Sequence, residues 1–346
     1  MNPSARFTQL LQAATPILAL APMQDVTDLA FWRVMARRGG ADVYWTEYFR
    51  VHGDSRPEKY ILDSITQNPT GRPVVAQLIG NDVAALVRAA RELQRYPIAA
   101  VDLNLGCPAP VVYRKCAGGG LLREPKRIDA ILGALREAAT VAFTVKTRIG
   151  FASAEGFDDL LDLFAKHHID LLTVHGRTVA QMYRPGVRYD LIARAVGRLD
   201  CPVLANGNVH GPEQALTVLA DTGARGLMIG RGAIRNPWLF GQIRARQRGE
   251  IPALPSGRDV LAYIIELWES QTTPDASESA QVQRLKKFMN FIGEGMEPSA
   301  PFLHEIRRAA TRADFFRICE TFLDHDRPMD LKPEETASPA PMDACG

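Results

Sequence analysis

The residues best suited to chemistry lie in one stretch, Val101 to Leu122, which reads VDLNLGCPAPVVYRKCAGGGLL. Its apolar run turns polar at Asn104 and is broken by a glycine and a proline on either side of Cys107. This pattern is typical of a buried parallel strand whose last residues emerge at the carboxyl end of a sheet. Because α/β proteins bind ligands at that end, we expect the thiol of Cys107 to face a ligand cavity.

Two alternatives to a catalytic Cys107 stay open. A lone cysteine is more often a small buried apolar residue than a catalyst, and Cys116 in the following loop could be the reactive thiol instead. The glycine and proline beside Cys107 favour exposure into a cavity, so Cys107 is the preferred candidate. The cysteines show no paired metal-ligand spacing and no small disulfide framework, which predicts reduced thiols, no metal site and a cytoplasmic location.

A second reactive group is Lys146, which interrupts the apolar sequence FTVKTRIG. An unpaired ammonium is costly to bury, so a lysine inside a strand indicates a function. It could form a Schiff base, which requires a depressed pKa, or it could hold an anionic ring that carries a hydride. The amide of Gln77 favours the second option, because amides match the donor and acceptor edge of a flavin or a pyrimidine.

His175, in the motif TVHGRT, has three possible roles: metal ligand, base or hydrogen-bond donor. No second metal ligand stands at a suitable spacing in the sequence. We therefore interpret His175 as a hydrogen-bond donor.

Glycine-rich segments follow two later β-type runs and read ANGNV and IGRGA. Backbone N–H groups after the last two strands of a β/α barrel are a recurring phosphate site. Ordinary turn chemistry is the alternative, since glycine is common in loops. Both segments are present and Arg231 lies beside them, which favours the phosphate site.

Eight β-type runs alternate with segments of helical pattern and would position these groups. The runs are Ile17–Met23, Asp42–Tyr48, Pro73–Gly80, Ala100–Cys107, Phe143–Gly150, Asp170–Thr178, Pro202–Val209 and Gly226–Ala233. This alternation predicts parallel strands with right-handed crossovers, and eight units suit an α/β fold of the (β/α)₈ TIM-barrel type better than an open doubly wound sheet. Run after run ends in polar residues, which predicts a site at the C-terminal face of the barrel.

The pattern changes after Leu239, where a Pro/Gly-rich hinge, Ile251–Gly257, is followed by helical stretches alone. These stretches are Arg258–Gln271, Ser277–Gly293, Ala300–Ala310 and Ala313–Leu323. We predict a catalytic barrel over residues 1–245 and a small all-helical C-terminal domain over residues 255–326. Residues 327–346 are rich in Pro, Glu and Ser without an apolar period, which predicts a disordered tail that includes Cys345.

The bulk composition is that of an ordinary soluble globular protein, with 46% hydrophobic and 23% charged residues. The formal net charge is +2, whereas dedicated nucleic-acid binders often carry a larger basic excess. An RNA-binding function must therefore rest on local basic clusters. No apolar segment approaches the length of a membrane span, so we expect no contact with a membrane.

Eight motifs, taken in order, resemble those of the tRNA-dihydrouridine synthases: APM, VVAQLIG, DLNLGCP, GGGLL, VKTRIG, TVHGRT, ANGNV and IGRGA. The resemblance covers residues 18 to 236 and extends more weakly into the helical region. It implies FMN as cofactor and NADPH as reductant. It also implies reduction of the C5–C6 double bond of one uridine in tRNA, with hydride passing from flavin N5 to C6 and a proton from Cys107 to C5.

The resemblance also implies a role for individual positions. Residues that would border or contact the flavin are Pro22, Met23, Gln24, Gln77, Lys146 and His175. Residues that would hold its phosphate are Asn206, Gly207, Asn208, Gly230 and Arg231. Residues that would touch the uracil are Asn104, Arg148 and Tyr183. At Gln24 and Asn208, family members often carry a different residue.

The sequence QRLKKF places Arg284, Lys286 and Lys287 within one predicted helical turn, with Phe288 and Phe291 on the apolar side. Taken alone, it is better interpreted as a solvated helix face over a core. The resemblance extends to this RLKK stretch and favours contact with the tRNA backbone, and we expect the same of Arg50 on the barrel rim.

Two other functions stay open. One is a flavin barrel that acts on a free pyrimidine such as dihydroorotate, against which the helical RLKK region argues. The other is a non-catalytic RNA-binding barrel, against which the polar strand ends argue. We expect a monomer with tRNA and NADPH as its partners.

Overall fold

Parallel strands close into a barrel in the computed structural model, which describes residues 2–273 and 275–333. The strands are β1 (Ile17–Leu20), β2 (Val43–Trp45), β3 (Phe49–Arg50), β4 (Val74–Ile79), β5 (Ala100–Leu105), β6 (Ala142–Arg148), β7 (Leu171–His175), β8 (Val203–Asn206) and β9 (Gly226–Ile229). Eight of them form the closed ring β1-β2-β4-β5-β6-β7-β8-β9, in which β9 pairs with β1. The two-residue strand β3 pairs only with the end of β4.

This closed ring confirms the predicted TIM barrel, and each of the eight predicted runs overlaps a strand of the ring. The predicted runs nevertheless extend past the observed strand ends. The run Gly226–Ala233, for example, is a strand only to Ile229, and a short helix begins at Arg231. Ala233 and Ile234 are buried in that helix, so apolar character continues through the change from strand to helix and does not mark it.

Helices precede the first strand, connect the strands on the outside of the barrel and follow the last strand. They are α1 (Pro3–Gln12), α2 (Leu29–Ala36), α3 (Lys59–Thr66), α4 (Val83–Leu93), α5 (Pro110–Tyr113), α6 (Pro125–Ala138), α7 (Phe157–Lys166), α8 (Tyr189–Arg198), α9 (Pro212–Thr222), α10 (Arg231–Arg235) and α11 (Leu239–Gln247). Local sequence sets several of their ends. Asp82, for example, caps the N-terminus of α4 by accepting a hydrogen bond from the backbone N–H of Ala85.

Alternation along the strands separates two apolar layers. Val75, Leu171 and Leu204 belong to an inner cluster that Phe7 of α1 joins, where its ring meets Trp45 edge to face at 6.5 Å. Their chain neighbours face the surrounding helices. Since side chains two positions apart point to the same side of a strand, the polar residues nearer the C-terminal ends of these strands also point into the barrel. They are Gln77, Asp102, Asn104, Lys146, His175 and Asn206.

The C-terminal region consists of α12 (Gly257–Gln271), α13 (Glu278–Ile292), α14 (Ser299–Ile306) and α15 (Arg312–Leu323). Helix α12 packs against α2, and α13 packs against α10. A buried ion pair joins the two regions, because Arg235 of α10 binds Glu294 after α13 while its Nε donates to the carbonyl of Phe291 at 3.2 Å. Arg235 is 1% exposed, so the contact between the regions includes a desolvated charge.

The structure corrects the start of the predicted disordered tail. The backbone N–H of Met329 donates to the carbonyl of Pro255 at 2.8 Å, and the side chain of Leu331 is buried. Packed structure thus continues at least to Leu331. Residues 334–346 of the predicted tail, including Cys345, lie outside the described residues.

We expect Glu294→Ala to lower the free energy of unfolding by about 3 kcal/mol, because the substitution leaves the buried guanidinium of Arg235 without its counter-ion. Urea denaturation followed by circular dichroism measures the change. The matched control is Glu305→Ala, at an exposed carboxylate on α14, which should change the value by less than about 0.5 kcal/mol. Equal losses in the two variants would contradict a stabilising role for the ion pair.

Candidate active site

Cys107 lies in the loop that follows β5, at the mouth of the barrel. Its backbone N–H donates to Oδ1 of Asn104 at 2.9 Å, and its carbonyl accepts from the N–H of Gly119 at 3.1 Å. Gly118 has φ +52°, and a Cβ there would come within 2.9 Å of the Cys107 Cβ. The glycine run is therefore required for the 110–120 loop to fold back onto the cysteine.

The thiol of Cys107 is half-buried and lies beside the hydroxyl of Tyr48. Burial raises the pKa of the Cys107 thiol, although Tyr48, Arg148 and Lys146 oppose the increase. A thiol with a raised pKa keeps its proton at neutral pH. Cys107 is therefore suited to donate a proton rather than to attack as a thiolate.

Lys146 extends into the same mouth from β6, and its Nζ donates to Oδ1 of Asn206 at 3.1 Å. The Asn206 amide nitrogen in turn donates to the carbonyl of Met228 at 2.8 Å, which fixes the orientation of the amide. Burial, followed by the charge of Arg148, lowers the pKa of Lys146 to about 8, against the opposing charge of Asp102. One amide oxygen does not use all three ammonium protons, so Lys146 can still donate to a ligand.

The tautomer of His175 follows from its neighbour Arg177. Guanidinium nitrogens only donate, so the contact of 3.2 Å between Arg177 Nη1 and His175 Nε2 makes Nε2 an acceptor. Burial and the nearby charges of Arg148 and Lys146 hold the pKa of His175 well below its usual value, so the ring is neutral. Its proton therefore resides on Nδ1, from which the ring can donate a hydrogen bond.

A group of arginines lies beside these residues. Arg148, which is 2% exposed, donates from Nε to the carbonyl of Gly106 at 3.0 Å and from Nη1 to two carbonyls of the 178–182 loop. The ring of Tyr183 stacks near Arg148 at 5.6 Å and near Arg231 at 4.7 Å. The guanidinium of Arg148 thus braces two loops of the mouth.

Five backbone N–H groups after β8 and β9 make no hydrogen bond to another described residue: those of Gly207, Asn208, Gly230, Arg231 and Gly232. The side-chain oxygen of Asn208 accepts from Arg177 at 3.0 Å and from Arg231 at 3.4 Å, which orients both guanidinium groups. Clustered N–H donors next to two cations have the chemistry of a phosphate site. The residues present therefore fit a phosphorylated cofactor.

The loop after β1 borders this donor cluster. The sulfur of Met23 lies next to Gly230, where an added Cβ would approach it to 3.0 Å, and Pro22 precedes it in the chain. The Gln24 side-chain nitrogen contacts the Tyr60 hydroxyl at 3.2 Å, while its oxygen is buried without a partner in the described chain. Gln24 therefore retains an acceptor for a ligand.

Gln77 and Asn104 occupy neighbouring strands and bind each other. The Asn104 amide nitrogen donates to the Gln77 side-chain oxygen at 2.8 Å, and the Gln77 amide nitrogen donates to Asp102 at 2.7 Å. Sequence reasoning left Asp102, Tyr48 and Arg177 out of the site. Asp102 could have been found, because it stands two residues before Asn104 in DLN and so shares the inner face of the strand.

The basic residues expected to meet RNA have different surroundings. Arg284 binds Asp28 at 2.6 Å, Gln271 at 2.7 Å and the carbonyl of Asp25, so it joins the helical region to the loop after β1. Lys286 donates to the carbonyl of Arg307, and Arg50 is half-exposed near Glu58. Lys287 is exposed and forms no hydrogen bond or ion pair with another described residue.

The described residues contain no group of three or more histidine, cysteine, aspartate and glutamate side chains that could hold a metal ion. None of their helices has the length and apolar character needed to cross a membrane.

Comparison with solved structures supports the fold. The chain matches histamine dehydrogenase from Rhizobium sp. 4-9 with a TM-score of 0.52 and 12% sequence identity, over 75% of this chain and 51% of that one. At this identity the likeness concerns the fold alone.

Sequence comparison identifies closer relatives. A tRNA-dihydrouridine(16) synthase of Cupriavidus necator is 35% identical over 88% of this chain and 96% of its own length. A tRNA-dihydrouridine synthase B of Pseudomonas putida is also 35% identical, over 72% of this chain and 74% of its own. The family model described as "Dihydrouridine synthase (Dus)" matches residues 19–325, which include both the barrel and the helical region. The chain belongs to the dihydrouridine synthase family.

Proposed function

We propose that this protein reduces a uridine of tRNA to 5,6-dihydrouridine, with FMN as its cofactor and NADPH as the reductant. The observation that carries the proposal is the half-buried Cys107 thiol, with its raised pKa, at the mouth of a barrel whose next strand presents Lys146. Membership of the dihydrouridine synthase family supports the same reaction. A tRNA substrate implies a cytoplasmic location, and we propose that the protein acts as a monomer.

The residues that would hold FMN form two groups. The free N–H groups after β8 and β9, with Arg231, would bind the phosphate. Lys146 and the Nδ1–H of His175 would donate to the ring, where a cation stabilises negative charge. Pro22, Met23, Gln24 and Gln77 would border it. When bound, the flavin supplies the hydride that uracil accepts at C6.

Cys107 would supply the proton. Negative charge develops at C5 of the uracil as C6 is reduced, and a thiol that has kept its proton can transfer it there as a general acid. The Tyr48 hydroxyl lies beside the thiol and would help to return a proton after each turnover. The ring of Tyr183, which lies between Arg148 and Arg231, would contact the base. The side-chain N–H of Asn104 that does not bind Gln77 would contact it as well.

The tRNA must deliver its base to this mouth by unstacking it, at a cost of a few kcal/mol that contacts to the RNA backbone offset. Lys287 and Arg50 are exposed and would make such contacts, as would Lys286, the chain neighbour of Lys287. We propose uridine 16 as the target, because relatives named for that position from Neisseria, Cupriavidus and Pseudomonas match this chain over 84–88% of its length.

A flavin barrel that acts on a free pyrimidine is the second candidate function. The packing of α12 on α2 and of α13 on α10 gives the helical region a structural role, so its presence alone does not decide between the two functions. Dependence of turnover on Lys287 would favour the tRNA substrate. A free pyrimidine bound at the barrel mouth is too small to contact a cation on α13 at the same time.

We expect Cys107→Ala to reduce dihydrouridine formation by about 100-fold or more, because the developing carbanion loses its general acid. The variant should retain flavin absorbance. Mass-spectrometric mapping of the tRNA product measures the loss and reports whether the base lies at position 16. Cys116→Ala and Cys201→Ala are the controls, and both should stay active. Loss of activity in Cys116→Ala instead would assign the acid to the loop thiol.

We expect Arg231→Gln to weaken FMN binding about tenfold or more, because a charge-assisted hydrogen bond to phosphate contributes about 1.5–3 kcal/mol. Riboflavin, which has no phosphate, should bind the variant and the parent protein equally. Flavin fluorescence titration measures both affinities, and Arg248→Gln, at an exposed site paired with Glu250, is the control. If both ligands lose affinity equally, Arg231 does not bind the phosphate.

We expect Lys287→Ala to raise the Kd for tRNA about threefold and to reduce the salt dependence of binding by about one ion, as for the loss of one phosphate contact. Filter binding at several salt concentrations measures both quantities. Lys166→Ala is the control, because Lys166 ends α7 at the opposite face of the barrel. An unchanged salt dependence in Lys287→Ala would remove α13 from the RNA interface.

A further inference from the structure

A continuous line of hydrogen-bonded side chains crosses three strands inside the barrel. Thr144 of β6 donates to Oδ1 of Asp102 at 2.5 Å, and Gln77 of β4 donates to Oδ2 of Asp102 at 2.7 Å. Asp102 lies directly opposite both residues in the strand register. Asn104 then donates to the Gln77 oxygen at 2.8 Å, which continues the line toward the mouth.

The line ends at the backbone of the candidate acid. Oδ1 of Asn104 accepts from the N–H groups of Gly106 at 3.0 Å and Cys107 at 2.9 Å. Four side chains thus connect the interior of β6 to the residue that carries the thiol.

Asp102 gives the line its direction. An ionised carboxylate only accepts hydrogen bonds, so Gln77 must turn its NH₂ group toward Asp102 and its oxygen toward Asn104. Asn104 must then turn its NH₂ group toward Gln77 and its oxygen toward Cys107. A reversed amide at either position would place like groups against each other. The carboxylate at one end of the line and the backbone N–H groups of Gly106 and Cys107 at the other therefore require the same orientation of both amides.

Burial of this carboxylate costs free energy, because the charge is removed from water. Asp102 is fully buried, and burial raises its pKa to about 6 although Thr144 and Gln77 donate to it. Apolar residues fill the adjacent inner positions, such as Val75 and Leu171, so an apolar side chain would meet the needs of packing alone.

We infer that Asp102 is a positioning residue, which fixes the amide orientations of Gln77 and Asn104 and, through them, the Cys107 loop in the geometry needed for proton transfer. This inference rests on the proposed function. In chemical terms, Asp102 selects a ligand edge that complements the remaining N–H groups of the two amides, as the pyrimidine edge of a uracil or flavin does.

Three variants test the line: Asp102→Asn, Gln77→Glu and the double variant. Gln77→Glu places two carboxylates side by side and should lower turnover per bound flavin at least tenfold. In the double variant, the new amide at position 102 can donate to the carboxylate at position 77, which still accepts from Asn104. The direction of the line is restored, and turnover should be at least tenfold faster than in Gln77→Glu.

A second readout does not require catalysis. The rate of Cys107 alkylation by iodoacetamide reports the accessibility and the protonation of the thiol. Mass spectrometry follows the reaction, with Cys201 as internal reference. We expect at least a threefold change in Asp102→Asn, with kcat reduced and KM for tRNA unchanged, and a return toward the parent rate in the double variant.

Either of two results would overturn the inference. One is an Asp102→Asn protein with parental alkylation and turnover. The other is a double variant whose turnover and yield of folded protein are both no higher than those of Gln77→Glu. Failure of the proposed function has a different signature, because the parent protein itself would then form no dihydrouridine while the alkylation comparison would still test the line.

Discussion

The mouth of the barrel concentrates positive charge that its own carboxylates do not balance. Lys146, Arg148, Arg177 and Arg231 converge there, and the pKa of Arg177 falls to about 10 through burial and the charges of Arg231 and Arg148. Their partners are mainly neutral groups, such as the carbonyls that bind Arg148 and the amide oxygen that binds Lys146. Such a site favours an anion, and both ends of a reduced FMN, the phosphate and the ring, meet that requirement.

The same charges act on the thiol. Neighbouring cations lower the pKa of Cys107, whereas burial raises it, and burial has the larger effect. Arg148 is held by backbone carbonyls rather than directed at the sulfur. A thiol that keeps its proton in a cationic mouth is suited to acid catalysis, whereas a thiolate there would be suited to nucleophilic attack.

The helical region contributes to the framework of the site as well as to its surface. Arg284 binds Asp28 and the carbonyl of Asp25 and so holds the loop that carries Met23 and Gln24. Arg235 connects the helix after β9 to Glu294. Arg284 and Arg235 thus stabilise the contact between barrel and helices, whereas Lys287 is exposed on α13.

The sequence alone determined the order of the eight strands of the ring, the TIM barrel and the helical region after it, but not the two-residue strand β3. Apolar runs that end in polar residues and alternate with helical segments carry that information, because a closed parallel barrel buries both faces of each strand and opens its site at the carboxyl ends. It also determined the candidate residues that enter the mouth from the strands, including Lys146 and His175, since their strand positions follow from the same alternation.

Only the tertiary structure decided which partner each side chain takes. From the sequence alone, the three cations of QRLKKF are equivalent. In the structure, Arg284 pairs with Asp28, which is distant in sequence, whereas Lys287 is exposed. From the sequence alone, Asp102 is one polar residue in a strand. Its hydrogen bonds depend on the register that places it opposite Gln77 and Thr144 of two other strands. Hydrogen bonds and ion pairs between distant segments depend on distances of a few ångströms, and those distances exist only once the barrel has closed.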